Sequence, residues 1–123
     1  MSDCDAVNTL DRDFIQSWER MEEFFGWMLA RVTWKDRVLQ FIAELRQAGY
    51  DRKLRAGQTI DIFIVSRSRH HGLRPDQSRV AFYFHKDGMD VVEGHELKLR
   101  RTDFSLSAPV RAVLDRLVSR DID

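Results

Sequence analysis

The chain of 123 residues contains one cysteine, Cys4, and two prolines, Pro75 and Pro109. A lone thiol cannot close an intrachain disulfide, which excludes a disulfide-stapled scaffold and leads us to expect a reducing, cytoplasmic setting. Long apolar runs are also missing. The longest, Phe24 to Ala30 and Val80 to Phe84, fall far short of the about 20 residues that span a bilayer. The opening Met1-Ser2-Asp3-Cys4-Asp5 is acidic, where a secretory signal would be basic and then apolar. Nor is there an excess of either charge: 20 Lys and Arg balance 20 Asp and Glu, which argues against a general polyanion binder. No repeat or low-complexity segment interrupts the chain.

What is present is enough for a core. The hydrophobic fraction is 43%, with eight Phe, three Trp and two Tyr, a composition that disordered chains lack. The length suits one α+β domain over residues 9–123 after a short flexible lead, residues 1–8. The neutral total conceals a segregation. Residues 1–24 hold seven acids against Arg12 and Arg20, a net −5, whereas residues 51–86 hold eight Lys and Arg against three Asp, a net +5. Such a pattern fits an anion-binding surface, or an acidic first helix that docks on the basic segment in the same chain or a twin.

Apolar residues at Leu10, Phe14, Trp18, Met21, Phe25, Met28 and Val32 recur every three or four positions and predict an amphipathic helix. A second helix is predicted from Thr33, whose hydroxyl suits the cap, with a stripe at Trp34, Val38, Phe41, Ile42 and Leu45 and a stop at Gly49. Residues 59–71 are an ambiguous buried element. The run Thr59-Ile60-Asp61-Ile62-Phe63-Ile64-Val65 favours a strand, while Thr59 as a cap and His71-Gly72-Leu73 as a stop favour a helix, the reading adopted here. Asp87-Gly88 between two β-rich runs signals a hairpin, and Leu97-Lys98-Leu99-Arg100 supplies a third strand of an antiparallel meander. Ser107 and Pro109 open a C-terminal helix with an apolar face at Val110, Val113, Leu114 and Leu117.

Three features bear on function. The stretch from Ser66 to Arg79 gathers Arg67, Arg69, His70, His71, Arg74 and Arg79 around a turn, and guanidinium forks match carboxylates and phosphates. It is the candidate anion-binding surface, for a protein partner or, more weakly, a nucleic acid stacked on Tyr83 or Trp34. The aromatic first helix, with Phe14, Trp18, Met21, Phe25, Trp27 and Met28, is the candidate interface for self-association or a protein partner. The four histidines and Cys4 show no ligand spacing, so neither a metal nor a cofactor is expected. His85 is placed to face Asp90 across the hairpin as an ion pair.

No nucleophile elbow, phosphate-cradling glycine loop or dinucleotide fingerprint occurs. Pro75-Asp76 followed by Glu96-Leu97-Lys98 resembles the PD-(D/E)XK nuclease family. That resemblance implies Asp76 and Glu96 on Mg²⁺ and Lys98 beside the attacking water. The expectation taken forward is a small non-enzymatic binding or regulatory module, with a metal-dependent nuclease as the alternative.

Overall fold

A computed structural model describes residues 3–70, 72 and 74–123. Helices α1 (Asp3–Met28) and α2 (Lys35–Gln47) lead through a single 3₁₀ turn, Tyr50–Arg52, into five strands. These are β1 (Arg55–Thr59), β2 (Ile62–Ser66), β3 (Arg79–His85), β4 (Gly88–Glu93) and β5 (Glu96–Arg101), followed by α3 (Ala108–Val118). The strands pair antiparallel in chain order, β1-β2-β3-β4-β5, as one meander. Among the described residues no helix is long and apolar enough to cross a membrane.

The α+β class holds, and several details change. α1 begins at Asp3, taking in residues expected to lie in a lead, and ends at Met28. The described part of the segment 59–71, residues 59–70, is not a helix. Its residues alternate in a pleat, Phe63 and Val65 inward and the β-branched Ile62 and Ile64 outward, and β2 is paired on both sides. The meander therefore has five strands where three were expected. Neither predicted hydroxyl cap forms: α2 starts after Trp34, not Thr33, and Ser107 Oγ is buried without a partner. The β3–β4 turn is Lys86-Asp87, one residue earlier than expected, because Gly88 pairs with His85. Gly49, in contrast, ends the second helical segment in the left-handed conformation at φ 91°, as its position suggested.

Inward strand residues Phe63, Val65, Val80, Phe82, Phe84, Met89 and Val91 share one core with Trp18 and Phe25 of α1, Phe41 and Leu45 of α2 and Leu114 of α3. The sheet rings Phe63, Phe82 and Phe84 stack within 30° of parallel, while Trp18, Phe25 and Phe41 stand edge-on to them at 67–90°. A bulge in β5 fits the last strand to this core. Val91 pairs with Leu99 but Val92 with Leu97, so Lys98 is the extra residue. The bulge lets Leu99 pack on the core while Leu97 is exposed on the outer face.

Candidate functional site

Residues 67–78 join β2 to β3 and carry the basic cluster. Of its predicted members, Arg67 is spent on backbone: its Nε–H donates to the Arg120 carbonyl at 2.9 Å and its Nη1 to the Lys53 carbonyl at 2.5 Å. Burial pushes the Arg67 pKa down, and the Asp121 carboxylate opposes that shift. Arg74 is exposed and pairs with Asp123 and with Asp76, whose Oδ1 lies 3.2 Å from Nε. The hydrogen bond to Asp123, then that to Asp76, holds the Arg74 pKa above its ordinary value. Arg69 and His70 are exposed and Arg79 is half-buried. His71 lies outside the described residues.

The acids that meet the basic segment come from the other end of the chain than expected. Asp123 donates its N–H to the Arg67 carbonyl at 2.9 Å and accepts from the Arg69 N–H at 2.7 Å, the pattern of a parallel β-bridge opposite Ser68. Its carboxylate takes Arg74 and, at 3.3 Å, the Gln77 amide. The acidic first helix instead directs Glu22 to Arg46, which also binds Asp51 at 3.1 Å. Burial works against the charge of Arg46, but those two partners outweigh it and hold its pKa up. A terminal acid that pairs with a loop some fifty positions earlier leaves no local pattern, so nothing in the sequence marked Asp123.

Arg55 was also missed, as one of the eight basic residues of 51–86. It sits at the start of β1 and is 9% exposed. Its Nε donates to the Ser68 carbonyl at 3.0 Å and its Nη2 to the Arg69 carbonyl at 2.6 Å, while the guanidinium lies 5.3 Å from the Phe14 ring. Burial lowers its pKa, with Asp13 opposing and Arg20 adding to the effect. Arg55 thus anchors the first turn of the basic loop from below.

The first helix does not present the surface expected of it. Phe14, Trp18 and Phe25 are at most 1% exposed and belong to the protein interior, because α1 crosses the β1 edge and lies over Phe63. Met21 and Met28 pack on the same core half-buried, and only Trp27, 72% exposed, faces outward. Trp34, half-buried, stacks one face on Phe104 with centroids 6.0 Å apart.

Glu96 and Lys98 do meet, at 3.1 Å, and line a cavity of about 280 Å³ with Arg79 and Arg120. Asp76 does not line it, and its carboxylate is bound to Arg74. Among the described residues no three His, Cys, Asp or Glu side chains gather as a metal site would require. His85 Nε2 lies 3.8 Å from Asp90 Oδ1, diagonal across the β3–β4 hairpin, close to the arrangement predicted for it. Compared with known proteins, the chain matches no family model, no curated protein and no solved structure.

Proposed function

We propose that this chain is a non-enzymatic binding module whose basic loop takes an extended acidic peptide segment of a protein partner. One observation carries the reading: the chain's own Asp123 already occupies that loop in the way such a peptide would. Backbone pairing with residues 67 and 69 supplies affinity independent of sequence, and Arg74 with Gln77 supplies the preference for a carboxylate. A nucleic acid gains less from the same loop, since Arg67 is committed to carbonyls and Arg74 to carboxylates. The nuclease alternative has no supporting contact between Asp76 and the Glu96–Lys98 pair.

The test is fluorescence anisotropy with a labelled peptide containing Asp-Ile-Asp. Asp123→Asn combined with Asp121→Asn weakens the resident segment, so the peptide should bind that variant about tenfold more tightly than the unaltered chain. Rising salt and Arg74→Ala should each weaken binding. Absence of binding to the double variant at low salt, or equal binding of an oligonucleotide, overturns the proposal.

A further inference from the structure

We infer that the cavity beneath the basic loop is a binding site for a small organic carboxylate, held by Arg55. The cavity measures about 250 Å³ and lies on the outer side of β1 and β2, with Gly57, Ile64 and Ser66 in its lining and Gly72 of the loop at its margin. That volume sits below the usual range for drug-sized ligands, which limits the occupant to a compact molecule.

Arg55 is a buried cation with no carboxylate bound directly to it among the described residues. Buried cations are normally paired with an anion, because removing a bare charge from water is costly. Arg55 is nine-tenths buried, yet its hydrogen-bond partners are two neutral carbonyls, its guanidinium lies over a ring, and among the described residues no carboxylate lies within ion-pair distance, Asp13 acting on it only from farther away. Those carbonyls use Nε and one proton of Nη2. The remaining Nη1 and Nη2 protons form one planar fork, a match for a single carboxylate. Among the described residues Nη1 has no hydrogen-bond partner; it is not fully buried, and Arg55 lines the cavity.

The remaining lining suits a molecule with a short apolar body. Ile64 offers apolar surface, and Thr59 and Ser66 offer hydroxyls. Gly57 keeps the space open: a Cβ there would meet nothing within 4 Å, and its backbone is not one that requires glycine. The absent side chain is therefore a property of the cavity and not of the strand.

The inference does not depend on the peptide reading, and one experiment separates them. Backbone amide shifts of the full chain are followed while propionate, propionamide, methylguanidinium and inorganic phosphate are each added, up to about 10 mM, the weak end of specific affinity. Propionate should move the amides of Gly57, Ile64 and Ser66 saturably, and its neutral amide should not. Gly57→Val fills the cavity without a clash and suits a strand, so it should weaken propionate binding at least about tenfold. Arg74→Ala, which weakens the peptide, should leave propionate binding unchanged. Arg55→Lys should bind less well while keeping its charge, since the fork is lost. No saturable shift with propionate, equal shifts with propionamide, undiminished binding to Gly57→Val, or a preference for phosphate overturns the inference.

Discussion

The Trp18 indole N–H donates to the Leu54 carbonyl at 2.8 Å, and this bond fixes where the first helix meets the first strand. One residue earlier, Ser17 Oγ accepts from the Ala56 N–H at 2.9 Å, so the outward edge of β1 is satisfied by α1. Trp18→Ala would remove a fully buried ring and orphan a carbonyl. It should cost about 3–5 kcal/mol, whereas Trp27→Ala, which changes an exposed side chain, should stay within about 0.5 kcal/mol of the unaltered chain. Urea unfolding of the two variants checks the contrast, and comparable losses would refute it.

Ile60 occupies the β1–β2 turn at φ 56°, a region that costs a side-chain-bearing residue roughly 1–2 kcal/mol. It is 73% exposed, so little packing offsets the strain. Ile60→Gly should therefore raise stability by about 1 kcal/mol. A thermal melt shows the sign directly, and a lowered midpoint would mean that the side chain has a contact worth more than the strain.

Gly88 is the opposite case. Its φ is 146°, and a Cβ there would fall 2.0 Å from the Arg101 backbone carbonyl oxygen. Gly88→Ala should destabilise by more than about 2 kcal/mol, because backbone on backbone cannot move aside cheaply. Gly26 lies inside α1 with open space around it, and Gly26→Ala should stabilise by about 0.5–1 kcal/mol. Chemical denaturation of both variants tests the pair.

Stability should fall at both ends of the pH range for separate reasons. Tyr50 donates to Asp115 at 2.7 Å, and burial followed by that bond pushes its pKa from 10.0 up to about 12. The folded state holds this proton more tightly, so the contribution is complete below about pH 10 and lost as pH rises through about 12. Glu93 behaves in reverse. Hydrogen bonds from Arg116 at 3.0 and 3.1 Å, against the effect of burial, hold its carboxyl below 4.5. Its contribution is present above that value and disappears as pH falls through the lowered one. Tyr50→Phe should flatten the alkaline decline and Glu93→Gln part of the acid decline, measured as urea midpoints against pH.

The helical stripes were legible because a 3.6-residue period survives whatever packs against it: Phe14, Trp18, Phe25, Phe41 and Leu45 lie on one face of their helices, though that this face of α1 turns into the core and not to a partner was not legible. Residues 59–71 misled because Thr59 and Gly72 imitate helix punctuation, while the deciding fact, pairing of β2 with both β1 and β3, is not local. The basic loop was visible as composition. Its partners were not, since Arg55, Asp121 and Asp123 reach it from remote positions, and only the fold distinguishes a spent guanidinium such as Arg67 from an exposed one such as Arg69.

The order of the elements also sets a schedule for synthesis. α1 is made first, yet the groups that cover its apolar side, Leu54, Phe63 and Phe84, come later in the chain. At about 5–20 residues per second, the interval between completing Met28 and adding Phe84 is roughly 3–11 seconds. Throughout it the nascent chain carries an aromatic amphipathic helix with no sheet to lie on. Because every later strand joins its immediate predecessor, the cover then assembles from short-range hairpins as each emerges. The growing polypeptide passes through its stage of greatest stickiness early, and the ribosome-bound form is where chaperone demand should concentrate.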